Sequence, residues 1–178
     1  MITKHHSIPD NSLLKKGGET FDYVDSFRGI IIDKKQNVDI TTFLKLFSSS
    51  SPKWADHLLA IRDKIVVIFG LTTSHNKQKQ PNYAECKIGE QLGLFKLFDK
   101  SENEFVLGEN DKHLNFKVSL LLETVDKKLD KKRLTITTAV KFNNVFGRIY
   151  FFPVKPIHGV IVKSTLKNII QQFEQGIK

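Results

Sequence analysis

A chain of 178 residues and 20.4 kDa, 40% hydrophobic and 26% charged, has the makeup of a single globular domain whose core needs neither disulfide nor metal as a staple. Its one cysteine, Cys86, excludes a disulfide framework and a cysteine-rich zinc site, and His5, His6, His57, His75, His113 and His158 show no ligand spacing, so neither metal nor cofactor is expected. The formal charge of +9 rests on 28 basic residues of which only Arg28, Arg62, Arg133 and Arg148 are arginine, a lysine coat rather than the guanidinium forks of specific nucleic-acid recognition.

Residues 1–20 are polar, hold Gly17 and Gly18 and lack sustained periodicity, which predicts a flexible N-terminal arm before one domain over 21–178. No apolar stretch of signal-peptide type lies in MITKHHSIPDNSLLKK, and no continuous apolar run approaches a membrane span, so the expected setting is cytoplasmic. Phe21 to Ile32 reads as a long strand with Phe21, Tyr23, Asp25, Phe27 and Ile31 on one face. Asp39 is placed to cap a short helix carrying Ile40, Phe43, Leu44 and Phe47. Ser51 and Pro52 then open a second helix over 52–69, with Trp54, Leu58, Ile61, Ile65 and Ile68 as its stripe and Gly70 as its stop. A long polar loop covers 72–93.

An antiparallel meander follows. Phe95 to Phe98 and Phe105 to Leu107 are short strands, and strict alternation then sets Leu114, Phe116, Val118, Leu120 and Leu122 on one face, continued after a lysine-rich turn by Leu134, Ile136, Thr138, Val140 and Phe142. One buried and one wet face is the expectation. Asn143 or Asn144 caps a final helical region that Pro153 and Pro156 should kink and that resumes at Ile157.

One strand, a helix pair, a meander and a long last helix predict an α+β fold in which a curved antiparallel sheet wraps the C-terminal helix. That order resembles the helix-grip fold of the START and birch-pollen-allergen superfamily, a resemblance that implies a cavity between helix and sheet for lipids or other apolar molecules, and in some members cyclase or hydrolase activity. Three segments, 52–71, 106–119 and 146–166, are similar to the bacterial family called domain of unknown function 2867 through Trp54, Leu58, Arg62, Gly70, Gly108, Asp111, His113, Leu114, Gly147, Tyr150, Pro156 and His158. Asn115 stands where that pattern often has aspartate, and Ile157 where it often has phenylalanine. Similar domains also occur behind a dinucleotide-binding domain, whose G-x-G-x-x-G fingerprint is missing here. The family has no established activity, so the resemblance bears on fold and leaves function open.

Among candidate site residues, Asp25 breaks an aromatic strand face: in a dry cavity its pKa would be raised and it could act as an acid or hold a polar ligand group, while a partner such as Arg62 or an outward bulge is the structural alternative. Arg62 interrupts an apolar helix face and either anchors an anionic group or makes an ion pair; Trp54 and Tyr150 are candidate cavity lining. Asp111 and His113, two residues apart on an extended segment, have the spacing of a carboxylate that orients an imidazole. His158 follows the second proline, where it can satisfy a backbone carbonyl freed by a kink or meet a ligand. The expected function is binding of an apolar or lipid-like small molecule, with Asp25, Arg62, Tyr150, His158 and Trp54 around it. The alternatives are a cyclase or hydratase using Asp111 and His113, or a basic domain that engages an acidic partner.

Overall fold

The computed structural model describes residues 1–34, 38–49, 85–92 and 95–175. Ten elements follow in chain order: β1 (Ile2–His5), α1 (Leu13–Lys16), β2 (Tyr23–Ile32), α2 (Ile40–Ser49), β3 (Gln91–Leu92), β4 (Phe95–Lys100), β5 (Glu104–Asn110), β6 (Leu114–Asp126), β7 (Lys131–Phe142) and α3 (Val145–Gln175). The expected helix over 52–69, with Trp54 and Arg62, lies outside the described residues, as does most of the 72–93 loop, of whose described part Gln91–Leu92 forms β3.

The strands form one antiparallel sheet in the order β1-β2-β7-β6-β5-β4-β3. Its meander follows from local chemistry: β6 and β7 are alternating runs joined at a lysine-rich turn where Asp126 Oδ1 accepts the Lys128 and Leu129 amides and Asp130 takes a positive φ of 49°. The return of β2 to the far side of β7 closes the order, with Asp25 opposite Thr138 and Phe27 opposite Ile136. Asp39 caps α2 as expected, its Oδ1 accepting the Thr42 amide at 2.6 Å.

On its inner face the sheet packs against α2 and the second half of α3. Phe27, Ile31, Leu120, Leu134 and Ile136 meet Phe43 and Leu44 of α2 and Val162, Leu166 and Ile169 of α3 in one apolar core. This is the α+β, helix-grip-like arrangement of a curved sheet holding a long C-terminal helix. The 31-residue α3 runs through both prolines as one helix. Each proline removes the donor for the carbonyl four residues earlier, that of Ile149 or Phe152. Both prolines and both of those residues are exposed, so water can take the donor's place.

Two expectations change in the structure. First, the outer face is not wet over its length: Ser119, Leu121, Thr135, Thr137 and Ala139 are buried together with Ser26. Second, residues 1–20, expected as an arm, contribute edge strand β1 and a cover in which Ile8, Leu13 and Leu14 pack with Phe21 on Val24, Phe98, Val106 and Ala139. Glu104 fastens that cover. Its buried carboxylate accepts the Ser12 hydroxyl at 2.6 Å, the Leu13 amide at 2.7 Å and the Ser119 hydroxyl at 2.5 Å. Local periodicity misses this arrangement because the apolar residues of 8–14 answer to strands about a hundred positions away.

Candidate functional site

The first half of α3 crosses β2 and β7 where the inner sheet face turns polar. Alternation along β2 brings Tyr23 and Asp25 to that face, antiparallel register sets Thr138 beside Asp25, and the helix lowers His158 onto the pair. Lys4 reaches in from β1.

Asp25 is fully buried, and its two oxygens are served unequally. Oδ2 accepts the Tyr23 hydroxyl at 2.7 Å and has Lys4 Nζ at 3.8 Å. Oδ1 faces His158 Nε2 at 3.7 Å, an ion-pair distance rather than a hydrogen bond, because that nitrogen is engaged with Thr138 Oγ1 at 3.0 Å. Among the described residues Oδ1 has no hydrogen-bond donor. An acceptor left without a donor in a buried place costs free energy unless something supplies one.

The charges are also unequal. Burial pushes the Asp25 carboxyl up, but His158, the Tyr23 hydroxyl and the charge of Lys4 outweigh it and hold the group below its ordinary value of 3.8, so the raised value and acid role expected of a dry cavity give way to a carboxylate. Burial and the adjacent carboxylate push the Tyr23 hydroxyl well above its ordinary value, so it remains a donor at neutral pH. Because the folded value of Asp25 lies below the unfolded one, its contribution to stability is complete above the ordinary carboxylate range and is lost as pH falls through the folded value. We therefore expect the wild type to exceed Asp25→Asn in urea midpoint at neutral pH, and the gap to close below about pH 4. A gap that stays constant with pH would show that the charge contributes nothing.

Apolar surface adjoins this polar cluster. The Tyr23 and Phe151 rings lie 4.8 Å apart and tilted, Phe142 stands 5.5 Å from Phe151, and Lys155 Nζ lies 5.1 Å from the Tyr23 ring centre. Tyr23 is half-buried and the His158 side chain keeps 21% of its exposure, so the cluster opens toward solvent beside the helix. Beneath the second half of α3, by contrast, Phe43, Leu44, Leu120, Ile136, Leu166 and Ile169 are fully buried and fill the space.

The expected pair of Asp111 and His113 is not joined. Both lie in the turn between β5 and β6, where Asp111 Oδ1 accepts the Lys112 amide at 2.5 Å and the His113 ring turns to the Asn144 side chain, with Nδ1 3.3 Å from Oδ1 and 3.1 Å from Nδ2. That turn seats the start of α3. Asn143 donates to the Asp111 carbonyl at 2.7 Å and to Asn115 Oδ1 at 3.0 Å, Asn144 donates to the Lys112 carbonyl at 3.0 Å, and Asn144 Oδ1 caps the helix by accepting the Gly147 amide at 3.1 Å. Asparagine at 115 thus supplies the oxygen an aspartate would.

His158 meets the Thr138 hydroxyl rather than a freed carbonyl. Asp25 finds Tyr23, Lys4 and His158 as neighbours, while Arg62, its expected partner, lies outside the described residues together with Trp54. Tyr150 is half-buried on the first half of α3. The sequence puts Tyr23 on the face of Asp25 and Thr138 on the apolar face of the last strand without giving either a role, and singles out nothing at Lys4. The two-residue spacing of Tyr23 and Asp25 on a strand was the available signal; the other two come from chain segments that only the sheet brings together.

The family described as protein of unknown function (DUF2867) matches residues 18–165, most of the chain. Among solved structures, a conserved protein from Geobacillus kaustophilus is similar at 14% identity and a TM-score of 0.33, over 46% of this chain and 55% of that one, so the chain spans about half of that protein's length. No curated protein matches.

Proposed function

The chain belongs to the DUF2867 family, and from that premise, together with the unserved oxygen of Asp25, we propose that the domain binds a small, mainly apolar molecule, lipid-like or aromatic, that carries one hydrogen-bond donor. The observation behind this reading is Asp25 Oδ1: fully buried, held charged and without a donor among the described residues. A hydroxyl or amine of the ligand donates to it, Tyr23 and His158 fix its direction, and the rings of Tyr23, Phe142 and Phe151 take the apolar body. Burial of ligand surface supplies affinity at about 25 cal/mol per Å², while the polar group sets orientation. Arg62, Trp54 and Tyr150 remain further contacts of this reading. The cyclase or hydratase alternative through Asp111 and His113 has no comparable support, since that turn is engaged in seating α3.

Native mass spectrometry of the protein purified from its own host, followed by extraction and identification of bound material, tests the reading. The expected result is a stoichiometric apolar molecule with one hydroxyl or amine, retained by the wild type and lost from Asp25→Ala. A protein that arrives empty, and that no panel of fatty alcohols, sterols or phenols stabilises thermally, would overturn it.

A further inference from the structure

The helix α3 carries two apolar faces, and the domain uses one. Phe151, Val162, Leu166 and Ile169 are buried against the sheet and α2. On the opposite side Val145, Ile149, Phe152, Pro156 and Val160 recur at steps of three and four, which aligns them along the helix. All five are exposed, Phe152 at 81%, and Phe146 and Ile157 beside them are exposed as well. The helix is long and apolar enough to pass for a membrane span by length and composition, although lysines and polar residues interrupt any continuous apolar run, and of its apolar 18-residue stretch only 17% is buried inside the domain. An outward ridge of this size on an otherwise lysine-coated protein needs a partner.

Charge indicates which kind. Between Val145 and Phe173 the helix holds Arg148, Lys155, Lys163 and Lys167 and no acidic residue. Lys163 and Lys167 continue the line of the apolar ridge toward the C-terminus, whereas Lys155 turns to the Tyr23 ring on the inner side. Arg148 bonds Asp22 at 3.1 Å while keeping 65% of its exposure. Apolar side chains on a convex ridge, bordered by cations, match an anionic bilayer surface: the rings enter the boundary of headgroups and acyl chains, and the lysines meet lipid phosphates. The two carbonyls that the prolines leave without donors place the helix at this boundary rather than across the hydrocarbon, since water is still at hand there.

We propose that the first half of α3 is a peripheral membrane-docking surface, which lays Val145, Ile149, Phe152 and Val160 into the interface of an anionic membrane. The proposal is independent of the ligand read at Asp25, which lies under the helix on its inner side. Its test is sedimentation of the full chain with vesicles of phosphatidylcholine alone and of phosphatidylcholine mixed with phosphatidylglycerol. Binding is expected with the mixed vesicles only, to fall with added salt, and to drop about tenfold in Phe152→Glu, whose thermal midpoint matches the wild type because the side chain touches little of its own domain. Absence of binding to anionic vesicles would overturn it. So would a Phe152→Glu variant that binds as well as the wild type, one that melts at a markedly lower temperature, which would mean that the ridge is covered within the chain, or a dimer in light scattering that the substitution dissociates.

Discussion

Replacement of Glu104 by alanine is expected to lower the free energy of unfolding by about 4 kcal/mol, because it leaves three donors, the buried Ser12 and Ser119 hydroxyls and the half-buried Leu13 amide, without their acceptor. A hydrogen bond to a charged group is worth about 1.5–3 kcal/mol, and a donor stranded in the interior loses more than the bond itself. Urea unfolding checks the figure. Ser12→Ala serves as the graded companion, expected to lose about 1–2 kcal/mol, since Ser12 also caps α1 through the Leu14 amide at 3.2 Å. If Glu104→Ala costs no more than Ser12→Ala, the carboxylate is not what fastens the N-terminal cover. The cover is of interest because the family match begins at residue 18, so the segment carrying Ile8, Ser12, Leu13 and Leu14 closes the outer sheet face from outside the matched region.

Gly147→Ala is expected to cost about 3 kcal/mol by a different route, overpacking against rigid backbone. A Cβ at this position would stand 2.1 Å from the His113 carbonyl oxygen and 2.9 Å from its carbon, and neither can swing aside as a side-chain end would. The start of α3 would have to leave the turn between β5 and β6, loosening the cap that Asn144 makes to the Gly147 amide. Gly17→Ala is the control: its Cβ meets nothing within 4 Å, so the substitution should change the urea midpoint little. A Gly147→Ala protein as stable as the wild type would mean that the helix start moves freely, and with it the placement of His158 over Asp25. The His113 imidazole meets the Asn144 side chain, and the missing side chain at 147 lets the helix sit on the turn.

Much of this could be read from the residues alone. Strands β2, β6 and β7 and helix α2 were legible because their apolar residues recur at two or at three and four, and because Asp39 and the lysine-rich turn mark their ends. Asp25 stood out for the same reason, as a carboxylate on an aromatic face. What periodicity cannot express is which segment covers a face. The outer side of the sheet looked wet because Asn115, Lys117, Ser119 and Glu123 alternate with apolar residues, yet at its middle Ser119 is buried under a segment whose apolar residues follow no regular spacing. A four-residue edge strand such as β1 carries too few positions to show a pattern at all.

The candidate site divides in the same way. By itself the sequence determined the class of fold, the sides on which most strand residues lie and the suspicion attached to Asp25, since each depends on local geometry and on the few conformations a backbone allows. Only the tertiary structure decided that Lys4, Thr138 and His158 gather around that carboxylate, that Asp111 and His113 seat a helix instead of forming a pair, and that α3 buries one apolar face while presenting another. Those outcomes depend on antiparallel register and on the approach of a helix to a sheet, contacts between segments far apart along the chain, whose free energy is gained only when both partners are already in place.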